Sequence, residues 1–286
     1  MTVADSNFDL DDFVARVLAE DLGANGDVTS AATVAPDAQF SASINCREAI
    51  VVAGIEVASA FFRTLDSAVT IDVRASDGDP IDAGTVMMRL DGNARAMLAA
   101  ERSALNTLQH LSGIATLTRR FVDAIAGTGA ILLDTRKTLP GLRALDKYAA
   151  RMGGAQNHRM RLDDGILIKD NHVAVCGGVG QAVRAAKAAG TGLPVQVEVD
   201  RVEQIEPALE AGADRLLLDN MAIATLRQAV AVVAGRVPLE ASGGVNLDTI
   251  RGIAQTGVDY ISVGRITQSA PAVDIGLDYD LQPRAS

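Results

Sequence analysis

The sequence predicts an α/β protein in two parts. The N-terminal part, here called the front part, contains a small antiparallel sheet, and the C-terminal part, here called the rear part, is built on a parallel sheet. Hydrophobic residues make up 48% of the 286 residues and aromatic residues only 3%, which favours helices packed on a sheet rich in valine, isoleucine and leucine. Six short apolar runs follow residue 130, and helical patterns separate the later ones. Such alternation is typical of βα units that form a parallel sheet.

The front part covers the first 115 residues. A first helix is predicted over residues 9–22, because Asp9 is a suitable N-cap and the apolar residues after it form one stripe. The remaining elements are predicted in this order: one or two strands within 38–54, a helix over 55–65, strands over 69–75 and 85–90, and one long helix or a pair over 94–126. Gly113 marks the point at which such a pair would break.

The rear part begins near residue 130. Its strands are predicted at 130–133, 165–168, 195–199, 215–218, 237–241 and 259–263, and its helices at 179–189, 201–211, 222–234 and 247–256. Glycines follow these helices, as is common at the position after a helix C-cap. Six strands of this kind predict a closed or nearly closed α/β barrel, with a doubly wound open sheet as the alternative.

Charge and composition exclude several classes of protein. The net charge of −10 argues against a nucleic-acid-binding protein, which would normally be basic. The most apolar stretch, residues 221–234, is short and contains Arg227, so no membrane span is predicted. The acidic, amphipathic N-terminus does not resemble a signal peptide, and the two cysteines show no metal or redox spacing. These features predict a cytoplasmic protein.

Polar residues follow every predicted strand of the rear part at the point where the strand ends. These strand-end segments are 134–137, 169–172, 198–200, 219–220, 240–244 and 264–265. Ligands of parallel α/β proteins bind at the carboxyl ends of the strands, because the loops converge there. Six polar segments in phase therefore predict one shared binding site.

The first group of candidate site residues is cationic: Arg136, Lys137, Arg159 and Lys169, with His158 beside them. Arginine offers a planar fork to carboxylates and phosphates, whereas lysine acts as a compact point charge. In an acidic protein, such a cluster repels itself unless an anion is bound. It therefore predicts a polyanionic small molecule as the ligand, and the alternative is pairing with the many acidic side chains.

Glu198 and Asp219 form a second group, each at the end of an apolar strand. Three interpretations of this pair remain open: oxygen ligands of a Mg²⁺ shared with substrate phosphates, general acid and base groups, or partners of Lys169.

Two glycine-containing loops, 241–245 and 262–267, form a third group. Paired loops of this kind after the last strands of a barrel commonly bind phosphate.

The other cations and histidines carry less functional signal. Arg143, Lys147 and Arg151 lie on a helix after the first rear strand, where pairing with acidic residues is the favoured interpretation. His110 lies inside a helical pattern, where a packing role is favoured. His172 follows Lys169, and two roles fit it equally: folding over the site, or a satisfied loop histidine.

Nine sequence motifs, taken together and in order, resemble the type II phosphoribosyltransferases, specifically the quinolinate phosphoribosyltransferase family. They are EDLGANGDVTS at 20–30, REAIVVAG at 47–54, ERSALNTLQHLSGIAT at 101–116, DTRKTLPGLRALDKYA at 134–149, GGAQNHR at 153–159, LIKDNH at 167–172, VEVD at 197–200, LLLDN at 216–220 and LEASGGV at 239–245. The resemblance covers nearly the whole chain.

The resemblance implies an N-terminal α/β open-faced sandwich domain, residues 1–115, and a C-terminal α/β barrel-like domain, residues 116–269. A tail, residues 270–286, is expected to pack back on the first domain. It further implies a reaction in which quinolinate and 5-phosphoribosyl-1-pyrophosphate give nicotinate mononucleotide, pyrophosphate and CO₂, with Mg²⁺ as cofactor. The implied assembly is at least a homodimer, in which Arg102 reaches the partner subunit's site.

The resemblance also implies a role for each matching residue. Quinolinate would be bound by Arg102, Thr135, Arg136, His158, Arg159 and Lys169. The phosphoribosyl donor would be bound by Lys137, Glu198, Asp219, Ser242, Gly243, Gly244 and Gly264. Lys137, Glu198 and Asp219 would be catalytic, and Mg²⁺ would come with the substrate and meet Glu198 and Asp219. Arg265 and Gln268 depart from the family pattern, so the resemblance assigns them no role.

Four rival hypotheses remain, one from a close relative of the same family and three from other classes of protein. A Schiff-base aldolase would use Lys169 as its nucleophile. A biotinyl or lipoyl carrier domain is suggested by the turn-strand rhythm of residues 76–92, but the first lysine in the chain is Lys137, so no attachment site exists there. A related phosphoribosyltransferase-like protein of molybdenum transport and a non-catalytic phosphosugar-binding protein are the other two.

Overall fold

The computed structural model describes residues 8–279, and the chain divides into two compact units. The first runs to Leu117, takes in Ala144–Gly153 and resumes at Ser269, and the second comprises Thr118–Arg143 and Gly154–Gln268. Within the described range, no helix is long and apolar enough to cross a membrane.

The elements are numbered in chain order. The strands are β1 (Gln39–Cys46), β2 (Ile50–Val51), β3 (Thr70–Val73), β4 (Pro80–Ile81), β5 (Val86–Asn93), β6 (Ile131–Leu133), β7 (Ile166–Ile168), β8 (Val195–Val199), β9 (Arg215–Asp219), β10 (Leu239–Ser242), β11 (Tyr260–Ser262) and β12 (Ile275–Tyr279). The helices are α1 (Leu10–Leu22), α2 (Val28–Thr33), α3 (Ile55–Leu65), α4 (Ala94–Ala124), α5 (Arg143–Met152), α6 (Asp170–Cys176), α7 (Val179–Ala188), α8 (Ile205–Glu210), α9 (Ile223–Val233), α10 (Ile250–Ala254) and α11 (Arg265–Gln268).

The first unit is built on a four-stranded antiparallel sheet in the order β12-β1-β5-β3. Strand β12, near the end of the chain, forms one edge by pairing with β1 from Ala42↔Tyr279 to Cys46↔Ile275. Residues 280–286 of the predicted tail lie outside the described residues. A two-stranded pair, β2 with β4, completes the strands of this unit.

Helix α1 begins as the sequence predicts. The side chain of Asp9 accepts a hydrogen bond from the backbone N–H of Asp12 at 2.9 Å, which satisfies one of the unpaired donors at a helix start. The apolar stripe of α1 packs against α3, where the rings of Phe13 and Phe61 lie 6.1 Å apart. This burial holds both helices in the core of the first unit.

Helix α4 is one continuous helix of 31 residues, so of the two predicted alternatives the single long helix is correct and there is no break at Gly113. Glycine is needed at this position for a different reason. A Cβ atom built on Gly113 would lie 2.2 Å from the carbonyl oxygen of Pro271, closer than side-chain atoms approach in proteins. Gly113 therefore lets the segment before β12 pass against the helix.

We expect Gly113→Ala to lower the free energy of unfolding by about 1–3 kcal/mol, because the added methyl group forces the segment at Pro271 away from α4. Urea denaturation measures this change. Asn106→Ala, at an exposed position of the same helix, is the control and should change stability by less than about 0.7 kcal/mol. If Gly113→Ala instead stabilised the protein by about 1 kcal/mol, as helix propensity alone predicts, the close approach would not matter.

The second unit contains a six-stranded sheet in the order β6-β11-β10-β9-β8-β7, in which every pair is parallel. The strands follow chain order from β7 to β11, and the first strand, β6, then pairs with the last. This order matches a barrel-like sheet that is not closed between β6 and β7. A doubly wound sheet would instead place its first strand, β6, inside the sheet rather than at its edge. The predicted α/β barrel-like domain is confirmed, and the doubly wound alternative is wrong.

The strands β8 and β9 are mostly apolar, but polar side chains of the sheet are also buried, among them Gln196 and Glu240. The side chain of Gln196 on β8 donates to that of Glu240 on β10 at 2.8 Å, although β9 lies between the two strands. Both side chains therefore point to the same, enclosed face, and both are buried. The carboxyl ends of the six strands lie along one edge, since all the strands are parallel.

Candidate active site

A cavity of about 720 Å³ lies at the carboxyl ends of the strands of the second unit. Twelve of the residues that the sequence predicts for the site line it, namely Thr135, Arg136, Lys137, His158, Arg159, Lys169, Glu198, Asp219, Ser242, Gly243, Gly244 and Gly264. Arg265 and Gln268 also line it. Arg102 lies in the first unit, exposed on α4, and is not among the lining residues.

A second groove has nearly the same volume, about 710 Å³, and is lined by residues of α7, of α8 and of the loops before them. Volume therefore does not distinguish the two. The cavity at the strand ends differs in its chemistry, because it gathers cations, carboxylates and glycine loops from all six strands. This convergence identifies it as the candidate active site.

The two loops that carry most of the cations are tied together by Asp134. This residue directly follows β6 and is fully buried. Its carboxylate accepts hydrogen bonds from the side chain of Asn157 at 2.5 Å and from the backbone N–H of His158 at 2.8 Å. Because both oxygens are used, the loop after β6 and the loop at 157–159 hold a fixed relation to each other.

Arg136 and Arg159 form an electrostatically strained pair. Burial lowers the pKa of Arg159, and the positive charge of Arg136 lowers it further, while Asp164 opposes this shift. The Nε atom of Arg136 is buried, and no atom of residues 8–279 accepts a hydrogen bond from it. Two close guanidinium groups, one with an unused buried donor, constitute a site for an anion.

The position of Lys137 is fixed by two hydrogen bonds of its backbone and by the close approach of its side chain to Gly264. The hydroxyl of Thr267 donates to the carbonyl oxygen of Lys137 at 2.7 Å, and Thr135 accepts from its backbone N–H at 3.0 Å. A Cβ atom on Gly264 would lie 2.7 Å from Cδ of Lys137, so the lysine stem passes directly over this glycine. Lys137 thus lies next to the second glycine-containing loop.

Lys169 and Glu198 form an ion pair inside the cavity. The Nζ of Lys169 lies 2.5 Å from Oε2 of Glu198, and the side chain of Glu198 is only 9% exposed, against 43% for Lys169. Three interpretations of Glu198 were open, and the structure shows the contact that one of them predicts, an ion pair with Lys169. The backbone N–H of Lys169 donates to Nδ1 of His172 at 2.9 Å, which places His172 in the cap of helix α6.

Sequence reasoning gave Asn220 no role, yet it shapes the carboxylate end of the cavity. Its backbone has a φ of 53°, in the left-handed region that asparagine tolerates better than most residues. Its side chain donates to Oδ2 of Asp219 at 2.6 Å and orients that carboxylate. A Cβ atom on Gly243 would lie 2.1 Å from Oδ1 of Asn220, so Gly243 is required for this arrangement.

Glu240 is the second residue to which sequence reasoning gave no role. Its side chain lines the cavity from below, almost completely buried, and its Oε2 lies 3.3 Å from Nε2 of His158. Burial raises the pKa of Glu240, but hydrogen bonds from His158 and Gln196 outweigh burial, so its pKa is below the ordinary value. Glu240 is therefore an ionised carboxylate beneath a cationic site.

The cations and the histidine that were predicted to be structural lie away from the cavity. In the first unit, Nε2 of His110 lies 2.7 Å from Oδ1 of the buried Asp146, and the guanidinium of Arg151 stacks over the ring of Tyr148. Lys147 is fully buried. None of these residues lines the candidate active site.

A parallel barrel-like domain with clustered cations and glycine loops at its strand ends defines a class of protein, one that binds small polyanions. The chain also matches two family models, "Quinolinate phosphoribosyl transferase, N-terminal domain" over residues 27–112 and "Quinolinate phosphoribosyl transferase, C-terminal domain" over residues 114–278. The chain belongs to the quinolinate phosphoribosyl transferase family. The resemblance seen in the sequence is confirmed.

Named relatives agree with this assignment over nearly the full length. The nicotinate-nucleotide pyrophosphorylase (carboxylating) of Mycobacterium leprae (strain TN) is 44% identical over 285 residues, with 96% of this chain and 99% of that protein covered. A quinolinate phosphoribosyltransferase (decarboxylating) of Nicotiana glauca is 39% identical, covering 98% of this chain and 84% of that protein. A crystal structure of nicotinate-nucleotide pyrophosphorylase from Ehrlichia chaffeensis, 40% identical, superposes with a TM-score of 0.92, covering 96% of this chain and 100% of that chain.

Proposed function

We propose that this protein transfers the phosphoribosyl group of 5-phosphoribosyl-1-pyrophosphate to quinolinate, releasing pyrophosphate and CO₂ and forming nicotinate mononucleotide for NAD biosynthesis. The observation that carries the proposal is the pair Arg136 and Arg159, whose mutual repulsion and unused donor call for an anionic ligand. The names of the relatives, which share the whole fold, support it.

The proposed quinolinate site uses the forked guanidinium groups of Arg136 and Arg159 for the two ring carboxylates, with Thr135 and His158 beside them. Lys169 adds a third cation. Because Lys169 is already paired with Glu198 at 2.5 Å, its exchange from Glu198 to a substrate carboxylate would leave Glu198 free to face the ribose.

The proposed donor site lies on the other side of the DTRKT segment. Lys137, over Gly264, would neutralise the departing pyrophosphate, and Ser242, Gly243 and Gly244 would bind the 5-phosphate through backbone N–H groups. Glu198 and Asp219 would stabilise the positive charge that develops at C1 of the ribose as the C–O bond to pyrophosphate breaks. Positioning and electrostatics suffice, and no covalent nucleophile is required.

The chemistry then balances without a further reactant. The ring nitrogen of quinolinate donates its lone pair to C1, and pyrophosphate leaves with the electron pair of the C–O bond. The bond from C2 to its carboxyl group then breaks, CO₂ departs, and the electron pair stays at C2, where the adjacent cationic nitrogen stabilises it. A proton finally replaces the lost carboxyl group.

Mg²⁺ is proposed as the cofactor. Among residues 8–279 no group of three or more histidine, cysteine, aspartate or glutamate side chains is arranged to hold a metal ion. Glu198 and Asp219, two of the carboxylates that line the cavity, suit a Mg²⁺ that takes its other ligands from substrate phosphates and water. When bound, the ion would supply countercharge to the pyrophosphate.

The test is a product assay with the purified protein, quinolinate, the phosphoribosyl donor and Mg²⁺. We expect equal release of CO₂ and pyrophosphate from quinolinate. We expect no turnover of nicotinate, which has one carboxylate, or of nicotinamide, which has none. Binding of the donor without any turnover would contradict the proposal and favour a phosphosugar-binding protein. Borohydride trapping of a carbonyl substrate on Lys169 would instead favour an aldolase.

We further propose a homodimer in which Arg102 of each subunit completes the partner subunit's site. The exposed position of Arg102 on α4, outside the residues that line the cavity, supports this arrangement. Arg102→Ala and Lys169→Ala should each be nearly inactive alone. When equal amounts are mixed and re-associated, about a quarter of wild-type activity should return, since half the dimers are hybrids with one complete site each.

Mixtures of wild-type protein with either single variant, treated in the same way, control for losses during re-association. No recovery in the hybrid, with dimers formed, would show that Arg102 does not act across subunits.

A cytoplasmic location is also proposed. Cys46 and Cys176 are both free thiols, and Cys176 is exposed, which suits a reducing compartment. Fractionation of cells that produce the protein tests this point.

A further inference from the structure

Beneath the candidate active site lies a buried polar cluster, here called the Glu240 network, which consists of Glu240, Gln196, His158 and Arg215. Oε2 of Glu240 accepts from Gln196 at 2.8 Å, lies 3.3 Å from Nε2 of His158 and lies 3.7 Å from the guanidinium of Arg215. Arg215 is itself held by the ring of Tyr260, at 4.1 Å from the ring centre. Three side chains thus lie around a single carboxylate oxygen, Oε2 of Glu240.

The hydrogen bonds of His158 determine where its ring proton lies. The backbone N–H of Arg159 donates to Nδ1 of His158 at 2.8 Å, so Nδ1 must carry a lone pair. The ring proton is then on Nε2, which faces the Glu240 carboxylate. Because both ring nitrogens are engaged by the protein, neither offers an N–H to the cavity. The backbone of His158 is also fixed, since its N–H donates to Asp134.

We propose that Glu240 is a positioning residue that locks the imidazole of His158 as the neutral Nε2–H tautomer, so that His158 presents its carbon edge rather than a proton to an aromatic dicarboxylate. This inference rests on the proposed function only for the identity of the ligand. The side chain of His158 is 13% exposed, so a limited part of the ring reaches the cavity.

The lock has a consequence for substrate recognition. A freely rotating histidine could donate to a ring carboxylate and bind a monocarboxylate nearly as well as a dicarboxylate. A locked histidine offers no N–H to the ligand, so it leaves both carboxylates to the arginines.

The first experiment is independent of activity. In a ¹⁵N-labelled protein, the two-bond ¹H–¹⁵N spectrum of the three histidines reports the protonation of each ring nitrogen, and the spectrum of His158→Gln assigns the signals of His158. At pH 7.5 we expect one protonated nitrogen, Nε2, and one unprotonated nitrogen, Nδ1. A doubly protonated ring or the Nδ1–H tautomer would overturn the proposal even if the enzyme turns over quinolinate.

Two variants of Glu240 separate its geometry from its charge. Glu240→Gln keeps an oxygen that can accept from both Gln196 and His158, so the tautomer should persist and the KM for quinolinate should change less than about threefold. Glu240→Leu has a similar shape but no acceptor. It should give a mixture of tautomers and raise the KM for quinolinate about tenfold, with little change in kcat or in the KM for the phosphoribosyl donor.

Glu206→Leu is the matched control, because it removes an exposed carboxylate that pairs with Arg236 at 2.7 Å, away from the cavity. It should leave the His158 signals and both KM values unchanged. An unchanged His158 spectrum in Glu240→Leu would overturn the proposal. If Glu240→Leu does not fold, Glu240→Ala, which also removes the acceptor, replaces it in the same comparison. Absence of turnover in every variant, with the expected tautomer, would contradict the proposed function alone.

Discussion

Replacement of Lys137 by alanine should lower kcat by about 10²–10³-fold while the KM for quinolinate changes by less than about threefold. The reason is geometric. The stem of Lys137 passes over Gly264, and its backbone carbonyl accepts a hydrogen bond from Thr267, so the side chain lies beside the second glycine-containing loop. It would therefore act on the pyrophosphate as charge develops there, and steady-state kinetics with pyrophosphate detection measure the effect.

Lys187→Ala provides a matched control, because Lys187 pairs with Asp214 at 2.6 Å outside the cavity, and its loss should leave both constants unchanged. Lys137→Arg keeps the charge but needs more room beside Gly264, so it should recover part of the lost rate. A large increase in the KM for quinolinate with an unchanged kcat would move Lys137 to the carboxylate site.

Replacement of Arg136 by alanine should reduce kcat/KM for quinolinate by about 10²–10³-fold, mainly through KM, because a buried charge-assisted contact to a carboxylate is lost. Arg136→Lys should recover little, since lysine lacks the planar fork. The effect is measured with quinolinate varied at saturating phosphoribosyl donor.

The same variant gives an independent stability result. The charge of Arg136 lowers the pKa of Arg159, so in the free protein the two groups repel each other. Arg136→Ala removes this repulsion, and its melting temperature without substrates should be no lower than that of the wild type. Quinolinate should raise the melting temperature of the wild type more than that of the variant. A strongly destabilised variant with unchanged quinolinate binding would show that Arg136 is structural.

The six strands of the second unit could be predicted because each is a short apolar run closed by polar residues, and their observed bounds differ from the predicted ones by no more than two residues. Helix α6 was not predicted, because its seven residues are too few to show an apolar period. The long helix α4 was predicted, but Gly113 could not be understood without Pro271, which lies far away in the sequence.

The site residues were predictable for a related reason. In a parallel sheet every strand end lies at one edge, so Arg136, Lys169, Glu198 and Asp219 had to be neighbours once the strands were recognised. The roles of Glu240 and Asn220 depend on details that sequence order does not contain. Glu240 meets Gln196 across an intervening strand, and Asn220 combines a left-handed backbone with a hydrogen bond to Asp219.

The strand order also has a consequence for how the chain folds during synthesis. The two larger sheets are completed by late segments: residues 260–262 pair with residues 131–133, and residues 275–279 pair with β1. Pairings this distant in sequence are slow to form, because a long loop must first close. Until β12 has been synthesised, the backbone groups along one edge of β1 therefore remain unpaired, and such an edge is prone to non-native pairing. We expect a chain that ends before residue 275 to aggregate rather than to accumulate as a folded first unit.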